Sequence, residues 1–232
     1  MKRLSTAALI TLAMVLVASA AQAAQIDFSD SVKNWPTWGT DSRDVIGEPH
    51  LTGGTAFVED GNLIKLEVDY TGTSKNIAAG DLFIDANADS FWDYVLSPNQ
   101  NGSNPSSQPL ARRSTTGVIY SFDQGAFSAQ EGVNNDYYLL ARSTDWSGLG
   151  VREGHPYAAN DGTGFPGSNV GTFSIQDFAV SGDGMVVFDQ FSLDPYLGSG
   201  DWIIGFGSTC ANDVIFETIP GAPVPEPATM IL

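Results

Sequence analysis

Asp85, Asn87 and Asp89 stand at alternate positions within Gly80–Tyr94, GDLFIDANADSFWDY. Asp-x-Asn-x-Asp is a spacing at which a tight loop turns three side-chain oxygens towards one point. Ca2+ takes about six to eight such hard oxygens. In the numbering of a Ca2+ loop, the carbonyl of Phe91 falls at the position that ligates through the backbone. Asp93 falls where ligation often runs through water. Ser90 occupies the place of the usual turn glycine, and Leu96 the place of the bidentate glutamate, so this is not an EF-hand. The missing carboxylate must come from elsewhere, with Asp81 or a distant Asp as candidates. The expected ligands are Asp85, Asn87 and Asp89, then Asp93, then Asp81. The competing expectation is a metal-free Asp/Asn turn held by side-chain-to-backbone hydrogen bonds.

Other chemistry is thinly supplied. Trp146, in a loop beside Asp145, could stack on a sugar ring while the carboxylate accepts sugar hydroxyls. Tyr157 and His155, in a Gly-rich stretch, could join them. Trp35 and Trp38 are read as packing on a core or its edge rather than as sugar platforms. There is no Gly-x-Ser-x-Gly elbow and no His-Glu-x-x-His. Two histidines and one cysteine equip neither a zinc enzyme nor a Ser-His-Asp triad well. Glycosidases need two carboxylates at a fixed separation, and no pair can be singled out from 27 acids. The expectation is a chain without catalytic residues. Cys210 can form no intrachain disulfide and is read as a buried small hydrophobe.

Short runs rich in β-branched and aromatic residues must position these groups. They include Thr55–Glu59, Leu63–Tyr70, Asp81–Ile84, Trp92–Leu96, Gly117–Phe122, Gly171–Val180, Met185–Phe191 and Trp202–Phe206. Ile64, Leu66, Val68 and Tyr70 alternate with Lys65, Glu67 and Asp69, the period of a strand buried on one face. Asp60-Gly61 between two runs signals a tight hairpin, and Ser181–Gly184 signals another. Two long polar stretches, Ser97–Thr115 and Gly148–Gly171, read as loops. The acids are 20 Asp against 7 Glu, and 25 Gly accompany them, a balance that favours turns over helices. The expected fold is all-β: a single antiparallel β-sandwich or jelly-roll-like domain over residues 24–218, with a Pro-containing tail over 219–232. The net charge of -17 rests on only ten cations, which excludes a phosphate-binding face and so a nucleic-acid partner.

The ends of the chain concern its address. Lys2 and Arg3, the apolar run Ala7–Val17 and Ala21-Gln22-Ala23 form a signal-peptide pattern over residues 1–23, with cleavage expected before Ala24. Removing it takes the net charge to -19. Val224-Pro225-Glu226-Pro227-Ala228-Thr229-Met230 resembles the opening of the PEP-CTERM sorting signal of exported Gram-negative proteins. Cys210–Ile215, CANDVI, resembles a Cys-Gly-Asn-Asp-Val-Ile segment that often precedes that signal, with Ala211 in place of the Gly. The Asp85 loop resembles acidic loops linking strands of extracellular β-domains, and Gly80–Tyr94 is similar to a segment recurring among such exported proteins. The resemblance implies processing by signal peptidase and an exosortase around Pro225, Glu226 and Pro227. It also implies a cell-surface or extracellular location, with extracellular polysaccharide or matrix proteins as partners. A PEP-CTERM signal continues into a hydrophobic helix and an Arg cluster. The expectation is therefore a signal truncated after VPEPATM, or a degenerate one. The function expected is that of a non-catalytic surface or matrix protein stabilised by Ca2+. The alternative is a secreted carbohydrate-binding or carbohydrate-degrading domain.

Overall fold

The computed structural model describes residues 23–38, 43–72, 77–98, 114–130, 135–141, 150–160, 162, 164–179, 181–193 and 200–221. The expected signal peptide, the loop carrying Asp145 and Trp146, and Pro225, Glu226 and Pro227 lie outside them. Among the described residues twelve strands alternate with turns: β1 (Ala24–Ser29), β2 (His50–Glu59), β3 (Asn62–Thr71), β4 (Ala79–Asp85), β5 (Tyr94–Pro98), β6 (Thr116–Ser121), β7 (Tyr138–Leu140), β8 (Pro156–Ala159), β9 (Ser168–Gln176), β10 (Gly184–Asp189), β11 (Trp202–Ser208) and β12 (Val214–Ile219). Ten of them form one antiparallel sheet in the order β1-β2-β3-β10-β9-β6-β5-β4-β11-β12, and β7 pairs with β8. The fold is an all-β antiparallel domain, as expected. Both of its layers come from one sheet that curls until it is nearly a barrel.

The curl brings the two edge strands towards each other. Glu217 of β12 accepts hydrogen bonds through Oε1 from the backbone N–H groups of Ser31 and Val32, just past β1, the second at 3.1 Å. Inside the curl lies the main core, built from Leu51, Leu66, Val68, Leu82, Ile84, Phe188, Trp202, Ile204, Phe206 and their neighbours.

The hairpin at Asp60-Gly61 forms as its sequence predicts. Glu59 pairs with Asn62, and both turn residues have positive φ (51° and 81°), the type I′ geometry that suits the twist of the strands. The alternation in β3 does not run unbroken. The register jumps from Phe57↔Lys65 to Val58↔Leu63, so Ile64 is the extra residue of a β-bulge. The bulge resets the parity: Leu63, Leu66, Val68 and Tyr70 are buried, and Ile64 is only half-buried.

The second expected hairpin is looser. β9 and β10 pair only from Gln176↔Val187 onwards. Asp183 instead accepts the N–H of Gly72 at 3.0 Å, which ties the turn to the end of β3. The expected loop Gly148–Gly171 is also more ordered than its composition suggests. It contains β8, which lies against β4 so closely that a Cβ on Gly80 would come within 2.2 Å of the Tyr157 carbonyl oxygen.

β4 is the pivot of the architecture. All seven of its residues are buried. Leu82 and Ile84 face the main core, while Phe83 faces a second cluster on the outside of the sheet with Trp35, Trp38, Trp92, Phe127 and Tyr138. Trp35 and Trp38 are 1% and 4% exposed, which makes them packing residues as expected. Trp35 lies over Gly205 of β11, where a Cβ would come within 2.5 Å of its ring, so the glycine gives the indole its place.

Candidate functional site

Asp85 ends β4 with its backbone paired to Ile203 of β11, and its side chain turns into the loop that follows. Its Oδ1 accepts the N–H groups of Asn87 (3.3 Å) and Asp89 (3.1 Å), and its Oδ2 accepts that of Ser90 (2.8 Å). Asn87 Oδ1 accepts the Asp89 N–H at 3.0 Å, and Asp89 Oδ1 accepts the Phe91 N–H at 3.0 Å. Asp93 Oδ2 reaches back to the Ala86 N–H at 2.7 Å. Ala88 and Ser90 take positive φ, 56° and 73°, so that successive N–H groups converge on the one carboxylate. Ser90 thus adopts the left-handed conformation for which calcium loops use glycine.

The loop therefore closes on itself without an ion. It also keeps acceptor capacity. Each oxygen has two lone pairs. Among the described residues, Asp93 Oδ1 accepts no hydrogen bond, and Asp85 Oδ2, Asn87 Oδ1 and Asp89 Oδ1 accept one each. Burial raises the Asp85 carboxyl above the ordinary range, with the neighbouring Asp89 charge adding to it and three backbone N–H groups opposing. Burial likewise raises Asp93, with Asp85 and Asp89 adding. Asp85 and Asp93 are short of water and the exposed Asp89 adds its charge beside them, an electrostatic setting that a divalent cation would relieve. The carboxylate oxygens of Asp85, Asp89 and Asp93 do not all lie within 4.8 Å of one another, so the loop would have to draw together to offer them to Ca2+ as one set.

Asp81 is not brought to this loop. It lies four residues up β4, about 13 Å away at the rise of a strand. There its Oδ2 accepts the Ala159 N–H at 2.7 Å and binds β8 to the sheet. Tyr157 is also misplaced for a sugar platform. It is 5% exposed and packs with Ala141, Ala158, Ala211 and Val214, and His155 beside it is 3% exposed. A Gly-rich surrounding reads as an open loop, but β8 draws both side chains inwards. Cys210 is fully buried, and its thiol is pushed up to about 11, chiefly by burial. Its Sγ contacts Asn212 Oδ1 at 3.0 Å within the β11–β12 turn. Ala211 in that turn has φ 46°, a left-handed conformation that glycine adopts more readily than alanine.

Beside the Asp85 loop lies a concavity of about 280 Å3, lined by Asn87, Asp93, Tyr94, Ser121, Phe122 and Gln124.

Two groups of residues escape a reading of the sequence. Arg152 is 2% exposed and acts as a hub. It donates to the carbonyls of Lys33, Arg43, Asp44 and Asn212 and to Asn34 Oδ1, the last at 2.9 Å. Asp30, His50 and Asp213 form the one group of three His, Cys, Asp or Glu side chains among the described residues whose ligand atoms all lie within 4.8 Å of one another. They come from the end of β1, the start of β2 and the residue before β12. Only Asp213, inside CANDVI, carried a sequence signal. No family model, curated protein or solved structure matches this chain.

Proposed function

We propose that the protein is a non-catalytic scaffold of the Gram-negative cell surface or extracellular matrix. It is exported through a signal peptide and an exosortase-type route, with Ca2+ held in the Asp85 loop. One observation carries this reading: six of its buried and half-buried acids are engaged in holding backbone together. Asp81 holds β8, Asp85 and Asp93 hold their own loop, Asp177 caps Ala79, Asp213 caps Leu51, and Glu217 spans the two edges of the sheet. Glycosidase chemistry instead needs a carboxylic acid and a carboxylate facing one open cleft.

Thermal melts test the calcium component. Ca2+ should raise the Tm above that in chelator by several degrees, because a ligand of the native state adds RT ln(1+[L]/Kd). Asp85→Ala should abolish the response and lower the Tm in chelator as well, since three backbone N–H groups lose their acceptor. Equal melts with Ca2+ and chelator in the wild type would leave the loop a pure hydrogen-bonded turn.

A second reading is favoured by the concavity beside the loop. Asn, Asp and Gln side chains next to aromatic rings are the groups that hold sugar hydroxyls and ring faces. A glycan array should then show binding that Gln124→Ala weakens at least about tenfold, while the Tm changes little. A flat array would leave the scaffold alone.

A further inference from the structure

The seam where the curled sheet meets itself contains an unusual group. Asp30 follows β1, and both of its carboxylate oxygens have less than 1 Å2 of exposed surface. Neither accepts a hydrogen bond from any described residue. An uncompensated buried carboxylate is costly, so the fold needs something positive there. Asp213, 1% exposed, makes the demand greater. Its Oδ2 accepts the Leu51 N–H at 2.7 Å and faces His50 Nδ1 at 2.8 Å, and its Oδ1 accepts the Val214 N–H at 3.0 Å. Those bonds fix Asp213 and aim it at His50. Asp44 and Glu217 add further negative charge around Asp30, and Arg152 only partly offsets it. Burial and these acids together lift the Asp30 carboxyl to about 8.

We propose that Asp30, His50 and Asp213 bind a divalent transition ion of the Zn2+ type, which clasps the two edges of the sheet. The donor set argues for this class over Ca2+. An imidazole nitrogen with two carboxylates suits a borderline ion, whereas Ca2+ takes oxygens only. Three protein ligands leave a fourth position for water, as in open zinc sites. Adjacent ligand atoms around tetrahedral zinc lie about 3.3 Å apart. The 4.8 Å spread is closed by small side-chain rotations of Asp30 and of His50, whose side chain is 37% exposed. The placement gives the ion its purpose. Its ligands come from the paired strands β1 and β2 and from the β11–β12 turn, so binding joins two ends of the sheet that no backbone ladder joins.

The test uses the full chain, stripped with EDTA and dialysed. Zn2+ at a hundredfold excess over Kd should raise the Tm by roughly 5–10 °C. Co2+ in its place should give the visible absorption of a low-symmetry nitrogen–oxygen site. Asp30→Asn and His50→Gln should each lose both responses. Asp30→Asn should also be at least as stable as the wild type in EDTA at pH 9, because it removes the buried charge. Asp89→Asn, in the distant acidic loop, should keep both. A Tm unmoved by Zn2+ would overturn the proposal. So would a shift that survives Asp30→Asn and His50→Gln, or one lost with Asp89→Asn.

Discussion

Replacing Arg152 by Met is expected to destabilise the fold by about 4 kcal/mol, or roughly 10 °C in Tm, measured by urea and thermal unfolding. The chain has only ten cations, and this one is spent in the interior. Its guanidinium joins the carbonyls of Lys33, Arg43 and Asp44, from the segment after β1, to that of Asn212 in the β11–β12 turn. The substitution fills the volume but leaves buried acceptors without donors, at a cost of about 1–3 kcal/mol each before relaxation. It also removes the positive charge nearest the acids at the seam, so the loss should be larger at pH 9 than at pH 6. The sign follows from Asp30. Its folded value of about 8 lies above the ordinary 3.8, so the proton it holds stabilises the fold at low pH and that contribution is gone above pH 8. Arg152→Lys should recover only part of the loss, because an ammonium cannot span acceptors arrayed around a planar fork. A loss below about 1 kcal/mol in Arg152→Met would show that the hub is dispensable.

Trp35→Ala should be of similar size, about 4 kcal/mol. The indole packs edge-on against Phe83, Trp92 and Phe216, with ring centroids 5.4, 5.6 and 5.4 Å away. It also donates from Nε1 to the Ala129 carbonyl at 3.0 Å. Its removal opens a cavity over Gly205 and uncovers the outer face of β4. The neighbouring chain from Trp92 Nε1 to Tyr138 Oη (2.6 Å), and from there to the Ser128 carbonyl (2.5 Å), would lose its lid. Near-UV circular dichroism should therefore collapse more than the Tm alone suggests. Trp35→Phe keeps most of the volume and loses one hydrogen bond, so about 1–2 kcal/mol is expected. A Trp35→Ala protein with wild-type near-UV dichroism would contradict the outer-cluster account.

The sequence signals that proved readable are those carried within a few residues. Runs rich in β-branched and aromatic residues marked β2, β3, β4, β5, β6, β9, β10 and β11, period-two alternation marked β3 among them, and Asp60-Gly61 marked the hairpin between β2 and β3. The acidic loop was legible as a loop because alternate Asp and Asn side chains can reach nearby N–H groups whether or not an ion is present. That same property kept the ion itself illegible. The bulge at Ile64 could not be read, because the extra residue is defined by its partner strand. β8 was hidden by Gly and Pro neighbours that usually mark loops; its order comes from Asp81 across the sheet. β1 and β12 lie beside end signals that drew attention to export rather than to pairing. The seam group was beyond reach for a simple reason: His50 and Asp213 are 163 positions apart, and only the curl of the sheet unites them.

The register of the strands also decides how the domain bears force. Asp85 pairs with Ile203, and Ile203 with Thr218, so the acidic loop sits level with the point where the chain leaves β12. β1 begins at that same end, while Asp30, His50 and Asp213 lie at the other. A tether on residues beyond Gly221 and a load applied at the seam end would pull along the strand axes. The hydrogen bonds of β12 to β11 run across that direction, so all of them would resist at once in shear. The same load applied next to the tether would peel β12 away one bond at a time. The domain should thus be mechanically strong when gripped at opposite ends and weak when gripped at one.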